Sequence, residues 1–159
     1  MLFRIICIAV VVLVAGCGFQ LQGAFTAPPA MERTYIAAGD RYSQFYRELR
    51  VQLQDAGVQL VDTEAESTAT FSILYDETDQ RVLSVSARNV PTEYEVYYTI
   101  QYAIAGTDNR LLETQDLTIT RNYTYDSRLV LGKASEEELL RGAIVKDLVR
   151  IVLKQISTL

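Results

Sequence analysis

Residues 94–104 read Tyr94-Glu95-Val96-Tyr97-Tyr98-Thr99-Ile100-Gln101-Tyr102-Ala103-Ile104. Every second residue from Tyr94 to Ile104 is apolar or aromatic and large, while Glu95, Thr99 and Gln101 fall between them. Successive side chains of a strand point to opposite faces, so this pattern predicts a strand with one face in a core and the other in water. The neighbouring segments share its period. Residues 68–75 alternate through Phe71, Ile73 and Tyr75, residues 81–87 through Leu83 and Val85, and residues 111–123 through Leu117, Ile119 and Tyr123. Residues 106–110, with Asp108-Asn109, supply a turn before the last of them. Short connections join antiparallel neighbours, so these segments predict an antiparallel meander. Its polar face carries Tyr97, Thr99 and Gln101 from one strand and Thr118, Thr120 and Asn122 from the next.

Outside the meander the period lengthens. Tyr42, Phe45, Tyr46, Leu49, Leu53 and Ala56 recur at helical spacing, with Asp40 or Ser43 as N-cap and Gly57 as the stop. Leu140, Ile144, Leu148, Val152 and Ile156 repeat every four residues in a final helix, opened by Ser135 and Glu138 as a capping box. Glu136 and Glu137 fall in the first turn of that helix and Lys154 near its end, as the macrodipole favours. Residues 35–38 and 58–61 read as short strands, and residues 62–67 as a polar loop. Two amphipathic helices and a half-wet sheet bury their apolar surfaces best by stacking. The expected fold is α+β, with two helices packed on one face of a mostly antiparallel four-stranded sheet.

The N-terminus has another origin. Arg4 precedes an unbroken apolar run from Ile5 to Ala15, too short for a spanning helix, which needs roughly 20 residues. A positive start, a short apolar core and small residues at its end make a secretory signal peptide. The end here, Val14-Ala15-Gly16-Cys17, resembles a bacterial lipobox, so residues 1–16 are expected to be removed and Cys17 lipidated. A diacylglyceryl group with an amide-linked acyl chain suffices for stable anchoring. Gly18 after the cysteine resembles the sorting pattern of outer-membrane lipoproteins. Residues 17–31, with Gly23, Pro28 and Pro29, then form a lipidated tether, and residues 32–159 a single domain.

Composition narrows the chemistry. The chain has no His, which removes Ser-His-Asp, Cys-His and His-zinc sites. Cys7 leaves with the signal and Cys17 is consumed by the lipid, so no disulfide is expected. Losing Arg4 leaves 14 basic residues against 20 acidic ones. The excess lies between Glu32 and Asp79, where ten acids stand against four bases. Such a chain has no long-range attraction for nucleic acid, and an anionic ligand must be held by a local cluster of bases. Glu136-Glu137-Glu138 could suggest carboxylate catalysis, but a helical first turn already accounts for acids there. No Gly-rich phosphate loop or metal-ligand pattern is present, and no cofactor is expected.

Cys17-Gly18-Phe19-Gln20-Leu21-Gln22-Gly23 resembles the mature start of the LPS-assembly lipoprotein family, LptE, with Gln22 where that family carries a basic residue. Residues 47–61, the Arg88-Asn89 and Thr92-Glu93-Tyr94 pairings, and Leu131-Gly132-Lys133 are similar to that family in order and spacing. The resemblance implies a non-enzymatic plug of the LPS-transport β-barrel LptD, anchored through Cys17 to the periplasmic side of the outer membrane. It also implies contact with lipopolysaccharide through Arg88, at a strand end, and Lys133, in the loop before the last helix. The polar sheet face, Tyr97, Thr99, Gln101, Thr118, Thr120 and Asn122, suits a wet barrel wall. The competing class is another periplasm-facing lipoprotein, such as a cell-wall hydrolase or an accessory subunit of an envelope complex.

Overall fold

The computed structural model describes residues 25–125 and 130–159. It contains strands β1 (Arg33–Ala38), β2 (Gln59–Val61), β3 (Ala69–Val85), β4 (Pro91–Gly106) and β5 (Arg110–Thr124), and helices α1 (Gln44–Asp55) and α2 (Val130–Ile156). The strands form one sheet in the order β2-β1-β3-β4-β5. β4 pairs antiparallel with β3 and β5, whereas β1 runs parallel to both β2 and β3.

The fold is therefore α+β, but the expected four mostly antiparallel strands become five in a mixed sheet. One cause is the helical crossover. The chain passes from β1 through α1 to β2, and such a connection brings its two strands together in parallel. The meander itself loses a strand, because the segments 68–75 and 81–87 belong to one continuous strand of 17 residues, β3, and β1 and β2 bring the total to five. A register shift between Ile73 and Tyr75 marks a bulge at Leu74. Beyond it, Asp76, Thr78 and Gln80 stand opposite Ile100, Tyr98 and Val96, on the side that faces the helices. These polar groups are bonded. Asp76 accepts from the hydroxyls of Ser43 at 2.5 Å and Tyr98 at 2.6 Å. Arg141 donates to Thr78 Oγ1 at 2.6 Å, and Tyr123 donates to Gln80 Oε1 at 3.0 Å. Asp76 and Thr78 are half-buried, and their bonds offset the cost of withdrawing polar atoms from water, while Gln80 stays exposed.

Ser43 caps α1 by accepting from the Tyr46 amide at 3.0 Å, while Asp40 accepts from the Tyr42 amide at 2.7 Å in the preceding turn. Tyr42 precedes the cap and is 87% exposed, so it does not share the apolar helix face as the spacing had suggested. Gly57, at φ 84°, ends the helix in the left-handed conformation that glycine adopts without strain. α2 begins at Val130, five residues before the expected Ser135. Leu131, Lys133 and Ala134 are good helix formers and carry the helix through Gly132. Lys133 therefore belongs to the first turn of α2 and not to a loop. Glu136 and Glu137 lie in the second turn, where the dipole argument lapses. Glu137 instead pairs with Arg141 at 2.7 Å, one turn on.

Both helices cover the same face of the sheet. Phe45, Leu49 and Leu53 of α1 and Ile144, Leu148, Val152 and Ile156 of α2 are buried with Phe71, Ile100, Tyr102 and Ile104. The Phe71 and Tyr102 rings stack with centroids 5.1 Å apart. Phe25 and Ala27 pack against this core and Met31 is buried in it, so the end of the tether is bound to the domain. Residues 1–24, with the signal segment and Cys17, lie outside the described residues, as does the side chain of Lys133.

The buried tyrosines set an alkaline limit. Burial pushes the Tyr102 phenol up to about 12. Burial also raises Tyr98, and its hydrogen bond to Asp76 and that carboxylate's charge raise it further. An unfolded tyrosine ionises near pH 10. Below that pH both states are protonated and the contribution is complete. It is lost as pH rises from about 10 toward 12, where only the unfolded chain gains the phenolate charge. Urea midpoints should fall steadily above about pH 10, and less steeply for Tyr102→Phe. A flat profile to about pH 11.5 would contradict the assignment.

Candidate functional site

The face of the sheet turned away from the helices is laid out by register. Four rows cross β3, β4 and β5: Tyr75-Gln101-Asp116, Glu77-Thr99-Thr118, Asp79-Tyr97-Thr120 and Arg81-Glu95-Asn122. Residues directly opposed across strands share a face, and strand and row spacings make this a patch of roughly 10 by 20 Å. All six residues expected on the polar face fall inside it. Tyr97, Thr99 and Gln101 are half-buried in the central strand, and Thr118, Thr120 and Asn122 are exposed on the edge strand.

Cross-strand bonds order the patch. Thr99 and Thr118 share a hydroxyl–hydroxyl bond at 2.9 Å. Gln101 Nε2 donates to Asp116 Oδ1 at 2.8 Å. Arg81 pairs with Glu95 and lies over the Tyr97 ring, 5.8 Å from its centroid. The Tyr75 hydroxyl donates to Glu77 Oε2 at 2.5 Å, and this bond holds its proton more tightly than usual. The β3 members were missed by sequence reasoning. Splitting β3 hid the alternation Tyr75-Glu77-Asp79-Arg81, which read as one strand would have placed all four on this face. With Glu95 and Asp116 they make the patch acidic: Glu77, Asp79, Glu95 and Asp116 stand against Arg81 alone. Such a surface offers acceptors to a partner that supplies donors and cations.

Arg88 lies elsewhere, exposed in the β3–β4 turn itself and not at a strand end. The turn closes through Ser86 N donating to Val90 O at 2.8 Å and Asn89 N donating to Ser86 O at 2.9 Å. Asn89 takes a positive φ of 58°, which asparagine tolerates better than most residues. Tyr125 N donates to Thr92 O at 2.9 Å, and α2 starts five residues after Tyr125. The chain thus brings the first turn of α2, with Lys133, to the end of the sheet where Arg88 stands. At the opposite end Phe25 and Thr26 line a groove with Gln52, Leu153 and Lys154.

Among the described residues no group of His, Cys, Asp and Glu could hold a metal ion, and no helix is long and apolar enough to cross a membrane. The acids of the outer face lie on an open sheet: Glu95 pairs with Arg81, Asp116 accepts from Gln101, Glu77 from Tyr75 and Asp79 from the Gln80 amide.

The model of the LptE lipopolysaccharide-assembly family matches residues 31–156. A protein of Yersinia enterocolitica named LPS-assembly lipoprotein LptE is 26% identical over 132 residues, covering 82% of this chain and 63% of the relative. The chain thus spans less than two thirds of that relative's length. The solution structure of an uncharacterized lipoprotein B from Nitrosomonas europaea matches with a TM-score of 0.73 and 28% identity, over 88% of this chain and 90% of that one. The crystal structure of the rare lipoprotein B from Shewanella oneidensis shares the fold, with a TM-score of 0.69 and 23% identity over 79% of this chain and 94% of that one.

Proposed function

Because the chain belongs to the LptE lipopolysaccharide-assembly family, whose members are assembly lipoproteins and not enzymes, we propose that it plugs and helps assemble the LPS-transport β-barrel LptD. In this role it assists insertion of lipopolysaccharide at the outer leaflet. It is held by a lipid on Cys17 at the periplasmic side of the outer membrane.

The observation that carries this reading is the ordered, acidic, hydrogen-bonding face of β3, β4 and β5. Transport barrels have polar, wet interiors, and a non-obligate interface is no more apolar than ordinary protein surface. Threonine, asparagine and glutamine offer both donors and acceptors to such a wall. Tyr97 adds a large surface with little entropy to lose. The charge of the patch further calls for basic or donor side chains on the lumen wall. A cell-wall hydrolase would need two carboxylates facing each other across a cleft. The open face, with its acids engaged by neighbours, gives that alternative no support.

A photo-crosslinker at Gln101 or Thr118 is expected to capture the barrel in intact cells. Capture only from positions that face the helices, such as Ile100 or Leu148, would reject this docking face.

Arg88 and Lys133 form the second part of the reading, as the basic contacts for lipopolysaccharide at one end of the sheet. The chain's overall negative charge offers no general attraction, so these local cations matter more. Arg88→Asp with Lys133→Asp is expected to weaken lipopolysaccharide binding by the purified full chain about tenfold, as loss of two solvent-exposed ion pairs would. Folding and barrel association should be unchanged. Identical isotherms for wild type and double variant at matched salt would reject these contacts.

A further inference from the structure

The turn that carries Arg88 is apolar as well as basic. Val82, Leu83, Val85 and Val90 are between 41% and 53% exposed, and all lie within five residues of the turn on β3 or just before β4. Residues 80–92 contain two arginines and no acid, within a chain of net charge −5. Arg81 is held by Glu95, whereas Arg88 forms no ion pair with any described residue. Clustered apolar side chains left in water mark a contact site more often than chance exposure does.

A cation in the same hairpin tip as exposed valines and a leucine fits one kind of ligand, an anionic group joined directly to hydrocarbon. The acyl chains would cover the apolar side chains while Arg88 pairs with the acid. The position agrees with this. α2 runs 27 residues, about 40 Å, from the Arg88 end of the sheet toward the groove lined by Phe25. Cys17 is eight residues before Phe25, where the described chain begins beside that groove. The turn stands at the far end of α2 from that groove, across a distance comparable to a bilayer core.

We propose that the β3–β4 tip receives acyl chains of lipopolysaccharide, with Arg88 meeting an anionic group of the same molecule. This rests on the reading of Arg88 as a lipopolysaccharide contact and adds the hydrophobic half of the site.

The test uses the full chain purified from membranes, with intact lipopolysaccharide and its de-acylated form as probes. Wild type should bind the intact form about tenfold more tightly than the de-acylated one. Leu83→Ser with Val85→Ser and Val90→Ser should remove that difference and leave binding of the de-acylated form unchanged. Arg88→Ala should weaken both. Equal binding of the two forms by wild type would overturn the inference while leaving the Arg88 contact standing. Binding of neither form would overturn both. Competition by phospholipid vesicles as effective as that by lipopolysaccharide would assign the tip to the bilayer and overturn it too. A photo-crosslinker at Val85 in the otherwise unaltered chain avoids any folding effect. It should capture lipopolysaccharide, and capture of only protein, whether the barrel or a second copy, would overturn the proposal.

Discussion

Phe71→Ala is expected to destabilise the domain by about 3–5 kcal/mol, a large part of the 5–15 kcal/mol available to a typical domain. Phe71 is fully buried, and its ring stacks on Tyr102 within 4° of parallel. It sits on β3 between the parallel partner Ile36 of β1 and the antiparallel partner Ile104 of β4. It is therefore placed where the two kinds of pairing meet. Truncation removes the aromatic stack and leaves a void between the sheet and the helices, which a close-packed core refills only in part. Tyr102 would also lose the surface that holds its ring while its hydroxyl donates to Gln155 of α2. Urea denaturation should show a much lower midpoint with an unchanged slope. A loss below about 1 kcal/mol would mean that the two pairings do not depend on this junction.

Different physical signals account for what was legible in the sequence. β4 was plain because its alternation is strict over eleven residues, and α2 because four-residue spacing persists for more than four turns. β3 was obscured by its own chemistry. After the bulge at Leu74, its core-side positions are Asp76, Thr78 and Gln80, which side-chain hydrogen bonds satisfy. Asp76 and Thr78 are half-buried and Gln80 is exposed, and a hydrophobicity pattern cannot register a helix-facing position that is polar and bonded. β1 and β2 were read as strands, yet their pairing is parallel and nonlocal, and strands of six and three residues carry no mark of their neighbours. The start of α2 was misplaced for a related reason. Ser135 and Glu138 have the residue types of a capping box, but Val130 opens the helix and puts both in its interior.

The same limits shaped the view of the functional face. Eight of its members lie on β4 and β5, and register there brings the six expected ones together. Its acidity was not visible, because Glu77 and Asp79 belong to the part of β3 that had been left out of a strand. The exposed apolar tip was hidden by the opposite error. Leu83 and Val85 alternate as core residues do, yet no described element covers them. Periodicity reports which side chains share a face, while burial depends on whether another layer reaches that far.

Cys17→Ser is expected to have the largest effect on location. Among the described residues no helix is long and apolar enough to cross a membrane, and residues 1–16 are expected to be cleaved. The chain's acidity, with 20 acidic residues against 15 basic, gives no electrostatic hold on anionic lipid. The acyl chains on Cys17 would then supply nearly all of the membrane affinity, at about 0.8 kcal/mol for each buried methylene. One chain binds only marginally, whereas the several chains of a lipobox cysteine bind stably, so losing all of them changes the partition by orders of magnitude. The variant should be expressed behind a leader that is cleaved without lipidation, in cells lacking the barrel, since a bound plug would sediment with its partner. Fractionation should then move the chain from membranes to the soluble periplasmic fraction with its fold intact. Persistence in washed membranes would show a second attachment, for which the exposed valines and Leu83 of the β3–β4 tip are the first candidates. Serine substitutions there, added to Cys17→Ser, would identify it.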